Sequence, residues 1–240
     1  MVQNHLSAIA APKSWTVERK EHTRWIVRPM PGAHPLNKCV SLSFVIRNML
    51  KYAKTMKETK KILYEGQIKV DKKTRKDYKF GIGLMDVLEI EKLGEAYRML
   101  YAHDGTLKLH KVNGKENNIK LLKVINKTVI KKGKIQITFH DGRNMLFDKT
   151  KLNVGDSVLY DLNKKEIMKD ITLENDSLVF LSGGKHVGKL AIIKDIIKAK
   201  NLEKAKVLID INGKQYTTLM DYAFAVGKLK PEITIEAKNE

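Results

Sequence analysis

From about residue 96 onward, the chain consists of short strand-like segments separated by turns, and this pattern limits the possible folds more than any other feature. AYRMLYA and TLKLHKV flank His103-Asp104-Gly105, which is a hairpin signal, and Asn212-Gly213 marks a second hairpin turn. Segments at this spacing are typical of small barrels. We therefore predict an α+β protein that is mainly β, and not a doubly wound parallel sheet.

A pair of short helices is predicted between residues 42 and 65. Thr55, with Glu58 three residues later, forms a capping box for the second helix, and Gly66 suits the left-handed position that ends it. QIKVD then alternates as a strand does, a basic turn follows, and LMDVLEIEK indicates another strand. The first helix is indicated by an apolar stripe at helical spacing, made of Leu42, Val45, Ile46, Met49 and Leu50.

Residues 1–37 read as an irregular arm, because they hold four of the chain's five prolines. Pro29, Pro31 and Pro35 remove backbone donors and push the residues before them out of the helical region. Basic and aromatic residues are interleaved here, among them Lys13 and Arg28. Such an arm either packs on its own domain or lies along RNA.

The charge balance points to a polyanionic partner. The chain has 46 Lys and Arg against 27 Asp and Glu, which leaves a net charge of +19. Self-repulsion of this size disfavours a free compact state, and basic clusters in every segment favour extended contact with nucleic acid. An anionic membrane surface fits less well, since no long amphipathic basic helix and no apolar run of membrane-spanning length is evident.

Other function classes lack their usual residues. Cys39 is the only cysteine, so no internal disulfide and no cysteine-rich metal site is expected, and a reducing cytoplasm is the natural setting. The seven His residues show no metal-ligand spacing. The N-terminus lacks the basic lead and cleavage pattern of a secretion signal. We expect no catalytic residues, no metal, no cofactor and no small-molecule substrate.

The glycine loop, residues 183–189 with the sequence GGKHVGK, has the spacing of a nucleotide-binding phosphate loop. That loop needs Ser or Thr after its lysine for magnesium, and here the residue is Leu190. It must also open a helix, whereas LAIIKDII reads as a strand, and too few residues follow to build a parallel sheet. We predict a barrel turn instead, shaped by Gly183, Gly184 and Gly188, with a tip that presents Lys185, His186 and Lys189.

Three stretches resemble known RNA-binding elements. The glycine loop with the residues around it, VFLSGGKHVGKLAII, resembles the KOW motif of small SH3-like barrels in ribosomal and transcription proteins. SLSFVIRNMLKYAKTMKETKKILYEGQIKVDKKTRKD, followed by GLMDVLEI, resembles the S-four RNA-binding module. With FHDGRN between them and HLSAIAAPKSW and RPMPGAHPL before them, the chain resembles the archaeal and eukaryotic small-subunit ribosomal proteins of the S-four-e family.

The resemblance implies four parts. These are the arm (residues 1–37), an S-four module (residues 38–95), a central small β-barrel-like domain (residues 96–172) and a KOW-containing SH3-like barrel (residues 173–240). Ser7 and Ala8 stand where the family has two basic residues, which weakens the case for RNA contact at that point of the arm.

The function implied is that of a structural component of the small ribosomal subunit in the cytoplasm. Its partners would be small-subunit ribosomal RNA and neighbouring ribosomal proteins. Two alternatives remain open: an RNA-modifying enzyme that uses an S-four module as its grip, and a KOW-bearing transcription elongation factor. The residues expected to contact RNA are Lys13, Arg28, Arg47, Lys51, Lys54, Lys57, Lys60, Lys61, Lys69, Lys72, Lys73, Arg75, Lys76, Arg143, Lys185, His186 and Lys189.

Overall fold

Strands predominate in the computed structural model, which describes residues 5–17, 24–114, 116–197, 204–228 and 230–235. The predicted mainly β class with a small helical part is therefore confirmed. The chain divides into two compact units. The first unit is Met1–Leu100 with Gly105–Asn118, and the second is Tyr101–Asp104 with Ile119–Glu240. No helix in the described part is long and apolar enough to cross a membrane.

In the first unit, the arm contributes a two-stranded antiparallel sheet of β1 (His5–Ser7) and β2 (Trp25–Val27). The arm packs on its own unit as well, because the Trp15 ring lies 5.7 Å from that of Phe44 and only 2% of Trp15 is exposed. This contact agrees with the first of the two alternatives for the arm, packing on its own domain, and contact of the arm with RNA stays a prediction.

The first predicted helix is present but irregular. Strand β3 (Cys39–Ser41) leads into α1 (Leu42–Phe44), which continues as a π-helix over Val45–Met49. The apolar stripe explains its position, because Leu42, Val45 and Ile46 are fully buried. The second helix, α2 (Met56–Tyr64), begins at Thr55 and ends before Gly66 as predicted.

The first unit also contains a five-stranded sheet in the order β5-β4-β7-β8-β9. Strand β6 (Gly81–Gly83) pairs separately with β3. Alternating or continuous apolar residues bury one face of the larger sheet, and Leu88 and Met99 are fully buried. Its strands are β4 (Ile68–Val70), β5 (Lys73–Thr74), β7 (Val87–Ile90), β8 (Glu95–Tyr101) and β9 (Leu107–Val112).

The second unit holds two antiparallel five-stranded sheets, in the orders β12-β11-β10-β13-β14 and β18-β17-β16-β15-β19. The first consists of β10 (Ile119–Val129), β11 (Ile135–Phe139), β12 (Asn144–Phe147), β13 (Ser157–Asp161) and β14 (Glu166–Ile171). The second consists of β15 (Leu178–Leu181), β16 (Leu190–Ile197), β17 (Lys206–Ile211), β18 (Lys214–Leu219) and β19 (Ala223–Gly227).

A buried lysine joins these two sheets. The Lys123 ammonium, on β10, donates to the carbonyl oxygens of Met220, Asp221 and Ala223 at 3.1, 2.9 and 2.5 Å. The predicted hairpin at Asn212-Gly213 is also present, with φ angles of 51° and 79° and strands β17 and β18 paired on either side.

Candidate nucleic-acid interface

Helix α2 begins at a capping box and presents lysines to solvent on the face opposite its buried residues. The Glu58 backbone N–H donates to Thr55 Oγ1 at 3.2 Å, and Glu58 Oε2 accepts from the Thr55 N–H at 3.3 Å, so the predicted capping box is confirmed. Hydrogen bonds from the Lys54 and Thr55 N–H groups lower the pKa of Glu58. Thr59 and Leu63 are fully buried, which leaves the opposite face exposed with Lys57, Lys60 and Lys61.

The basic turn after α2 mixes paired and exposed cations. Asp71 and Lys72 adopt left-handed φ angles of 51° and 62°, which reverse the chain between β4 and β5. Lys72 forms an ion pair with Glu89, and Lys69 forms one with Glu91, whose hydrogen bond raises the pKa of Lys69. Two predicted contacts thus have carboxylate partners within the protein, whereas Lys73 and Lys76 are exposed.

Three aromatic rings lie under cations on this surface. The Arg75 guanidinium is 4.2 Å from the centre of the Phe80 ring, the Lys60 ammonium is 4.8 Å from Tyr78, and the Lys76 ammonium is 5.4 Å from Tyr64. Tyr64 is 78% exposed, an unusual degree for an aromatic side chain. These aromatic residues were not among those predicted from the sequence to contact RNA. The position of Tyr64 could have been predicted as exposed, because this aromatic residue lies off the buried stripe of α2, four residues after Lys60.

The other predicted residues of the first unit lie elsewhere on it. Lys13 is exposed on the arm. Arg28 is half-buried and, with Lys79, lines a cleft of about 470 Å³ beside the Pro29–Pro35 stretch. Arg47, Lys51 and Lys54 together line a second cleft, next to strand β2.

In the second unit, the glycine loop is a hairpin connection between β15 and β16, and Leu190 opens a strand as predicted. Gly184 and Gly188 have φ angles of +85° and +78°. A Cβ at Gly183 would lie 2.7 Å from the Tyr222 ring, and one at Gly188 would lie 2.4 Å from the Ala102 carbonyl oxygen. These glycines therefore allow both the turn and its close packing.

The three predicted contact residues at the tip of the glycine loop differ in how far their side chains are exposed. Lys185 is exposed, whereas His186 and Lys189 are half-buried. The centre of the His186 ring lies 4.2 Å from that of Tyr216 with a tilt of 46° between the rings, and the Lys189 N–H donates to the His186 carbonyl oxygen at 3.3 Å. Only Lys185 is fully presented to solvent.

Arg143 is engaged inside the second unit. Its Nε lies 2.8 Å from Oδ2 of Asp141, which also lies 3.2 Å from the Nζ of the fully buried Lys120. Burial favours protonation of Asp141, but Lys120 and the other nearby cations outweigh it and hold the pKa of Asp141 below its usual value. Asp141, interpreted from the sequence as a turn former, therefore also anchors two cations.

The arrangement suits binding to phosphates. Exposed ammonium groups on α2 and the following turn supply charge, and the rings beneath them supply stacking surfaces. Among the described residues, no group of three His, Cys, Asp or Glu side chains could hold a metal ion. Burial, with the charge of Asp86, raises the pKa of Cys39 to about 11, which keeps this thiol protonated and unreactive near neutral pH.

Two family models match the chain. The model described as "Ribosomal family S4e" matches residues 93–167, and the model of the RS4NT (NUC023) domain matches residues 2–37. Curated proteins named "Small ribosomal subunit protein eS4" are similar over nearly their whole length. Those from Methanothermobacter thermautotrophicus and Staphylothermus marinus are each 38% identical to this chain, over 97% of it and 96% of their own length. The protein from Methanocaldococcus jannaschii is 38% identical, over 97% of this chain and 98% of its own.

A solved structure shares the fold. The crystal structure of the 30S ribosomal protein S4e from Thermoplasma acidophilum superposes with a TM-score of 0.70 at 32% sequence identity. The match covers 80% of this chain and 96% of that one.

Proposed function

The chain belongs to the ribosomal S4e family, and from this premise we propose that it holds segments of small-subunit ribosomal RNA in place through basic surfaces on each of its two units. The resemblance drawn from the sequence is confirmed. The protein is a structural component of the small ribosomal subunit in the cytoplasm. Which RNA segments and neighbouring proteins it touches is part of the proposal.

The observation that carries the proposal is the exposed basic surface of α2 and the turn that follows it. Lys57, Lys60, Lys61, Lys73 and Lys76 lie there at the protein surface. Such cations release condensed counterions from a phosphate backbone, which provides affinity without sequence preference. Folded RNA is then recognised by its shape and by stacking of unpaired bases on side chains such as Tyr64.

In the second unit we propose that Lys185 contacts phosphate and that the half-buried His186 and Lys189 shape the tip of the glycine loop. We propose that Arg143 acts through the buried cluster with Asp141 and Lys120 and contributes little direct contact. We further propose that the protein acts by binding alone, because the chemically distinctive groups that the fold gathers are cations and stacking rings.

A salt titration tests the proposal on a small-subunit RNA fragment. Replacing Lys73 and Lys76 together by Gln removes two exposed cations, so the slope of log affinity against log salt should flatten by roughly 0.7 to 0.9 per lost contact. The matched control replaces Lys69 and Lys72 by Gln. It removes the same charge, but from lysines that are paired to Glu91 and Glu89. An unchanged slope in the Lys73/Lys76 variant contradicts the proposed surface, and failure of the unaltered protein to sediment with small subunits in low salt contradicts the function.

A further inference from the structure

A cleft of about 800 Å³ lies within the first unit, between strand β2 of the arm and the helical start of the S-four module. This volume falls within the range of roughly 300–1,000 Å³ that is usual for pockets that take small ligands. Its lining includes the indole of Trp25 and the nearly buried Phe44. Arg47, Lys51 and Lys54 line it as well.

The charge of the cleft is of one sign. Three cations line it, and among the described residues no carboxylate does. The Nε atom of Arg47 is buried and has no hydrogen-bond partner within the described part of the chain. A buried donor without an acceptor is costly, and a phosphate oxygen is the acceptor that an arginine fork matches best. The cleft is therefore shaped for an anion.

The backbone is unusual at the residues that supply this charge. Arg47 lies in the π-helix Val45–Met49, where the Leu50 N–H donates to the Val45 carbonyl oxygen at 2.9 Å. Lys51 follows with a left-handed φ of 58°. Single π-turns are rare and occur frequently at functional sites, and a lysine with positive φ is uncommon. Both deviations fall at lining residues of the same cleft.

Trp25 supplies a surface of a different kind. Its indole is 54% exposed although it already contacts the His5 ring edge-on at 5.1 Å and the Arg24 guanidinium at 5.2 Å. An ordered, half-exposed indole beside cations is the arrangement on which unpaired bases stack, since every base has a π-face.

We propose that this cleft receives an unpaired nucleotide of RNA, with its phosphate against Arg47, Lys51 and Lys54 and its base on Trp25. The inference rests on the proposed function and makes it more specific, because it makes the arm and the S-four module a single site for single-stranded RNA. A base within a duplex is already stacked and cannot reach the indole, so the cleft discriminates unpaired from paired RNA.

Tryptophan fluorescence tests contact directly. The chain has two tryptophans, and Trp15 is only 2% exposed, so a ligand in the cleft should quench Trp25. The probe is a uridine tetranucleotide, added at low salt to the intact protein, and the same sequence within an RNA duplex serves for comparison. We expect saturable quenching by the single strand, little quenching by the duplex, and loss of the quenchable signal in Trp25→Phe.

Affinities come from the anisotropy of a fluorescein-labelled tetranucleotide. Arg47→Gln should weaken binding about tenfold, the loss expected for a hydrogen bond to a charged group. Trp25→Ala should weaken it at least about fivefold, as for a lost base–aromatic stack. Lys164→Gln is the matched control: it removes the same charge from the exposed turn between β13 and β14, outside both the cleft and the proposed basic surface, and should weaken binding about twofold or less. Arg47→Lys keeps the charge, so its affinity for the tetranucleotide should lie between those of the unaltered protein and Arg47→Gln.

Several results would overturn the inference. They are the absence of saturable quenching, equal losses from Arg47→Gln and Lys164→Gln in variants with unchanged thermal unfolding, equal quenching by the duplex, and equal quenching by inorganic phosphate alone. Equal quenching by inorganic phosphate would show that the cleft binds a small free anion and not a nucleotide. The Lys73/Lys76 titration separates the two proposals, because its flattened slope survives if only the cleft assignment is wrong.

Discussion

At the scale of single residues, the structure shows what makes buried cations tolerable in so basic a chain. Lys120 is fully buried and Lys123 is only 8% exposed, although lysine is almost never fully buried without a partner. Lys120 faces Asp141, and Lys123 is surrounded by three carbonyl oxygens of the turn before β19. Lys120 thus has a carboxylate as its partner and Lys123 has three carbonyl acceptors, so burial leaves neither ammonium without an acceptor.

We expect Lys123→Met to lower the free energy of unfolding by about 1–3 kcal/mol, because the carbonyl oxygens of Met220, Asp221 and Ala223 lose their donor. Urea denaturation measures this change. Lys127→Met is the matched control on the same strand, since among the described residues Lys127 Nζ donates to a single carbonyl oxygen, that of Leu152, at 2.8 Å. Equal losses in the two variants would show that the three-acceptor site contributes nothing special.

We expect Cys39 to resist alkylation by iodoacetamide at pH 8 in the native protein. Its pKa of about 11 leaves on the order of one thiol in a thousand ionised at that pH, and the side chain is only 1% exposed. The folded pKa lies above the ordinary value of 9.0, so the contribution of this thiol to stability is complete below pH 9.0 and is lost as the pH rises toward 11. Labelling followed by mass spectrometry, with and without urea, checks the reactivity, and rapid labelling of the native protein would contradict the expectation.

At the scale of elements, helix caps and hairpin turns could be predicted from the sequence, whereas the ion pairs between strands could not. The capping box of Thr55 and Glu58, the ending at Gly66 and the Asn212-Gly213 hairpin depend on neighbouring residues, and all are present. The ion pairs of Lys69 and Lys72 depend on the antiparallel register of β4 with β7, which places Ile68 opposite Ile90 and Lys69 opposite Glu89. Register is a tertiary property, so no pattern within either segment indicates these pairs.

The first helical segment illustrates the same limit. Its apolar stripe predicted a helix over the correct residues, but the change to π geometry at Val45 did not appear in the periodicity. Of the candidate interface, the basic residues of α2 and of the turn that follows it were predicted from composition and resemblance. The rings beneath them, and the grouping of Arg47 with Trp25 in one cleft, required the fold. The assignment of individual RNA contacts stays a prediction.

Two hairpin turns of the second unit, the glycine loop and Asn212-Gly213, yield a graded expectation for the stability of Gly→Ala variants. Gly213 has φ +79° and nothing within 4 Å of an added Cβ, so Gly213→Ala should lower the free energy of unfolding by about 1–2 kcal/mol, the cost of the left-handed backbone alone. Gly184, with φ +85° and ordinary contacts at 3.5 Å, should behave similarly. Gly188 should lose clearly more, because its Cβ would lie 2.4 Å from the backbone oxygen of Ala102. Thermal unfolding of the three variants measures the order, and a Gly188→Ala loss no larger than that of Gly213→Ala would contradict the close packing.

At the scale of the whole molecule, the net charge of +19 makes the free protein resist its own compaction. The described ion pairs relieve this only locally, at positions such as Lys111 with Glu95 and Lys204 with Asp221. Surface pairs of this kind contribute little each, and salt screens them. A bound polyanion neutralises the charge in a way that internal carboxylates cannot.

We therefore expect the melting temperature of the free protein to rise with added salt in the low-salt range, because screening weakens repulsion among the unpaired cations. A small-subunit RNA fragment should raise it further at low salt, by an amount equivalent to about 2.7 kcal/mol when RNA is present at a hundred times Kd. Differential scanning calorimetry over both series measures the shifts. A melting temperature that falls steadily with the first additions of salt would show that attraction, and not repulsion, dominates the free state.

The sheet order of the first unit has a consequence for how the chain matures during synthesis. Strand β8 lies between β7 and β9, so its backbone on one side has no partner until Leu107–Val112 has been made. The end of β8 and the start of the turn that follows it, Tyr101–Asp104, belong to the second unit, so β8 and β9 are joined through residues of the other unit. A growing chain that stops near residue 100 thus carries an open strand edge, which invites pairing with other chains. The five-stranded sheet of the first unit is therefore complete only after translation has passed Val112.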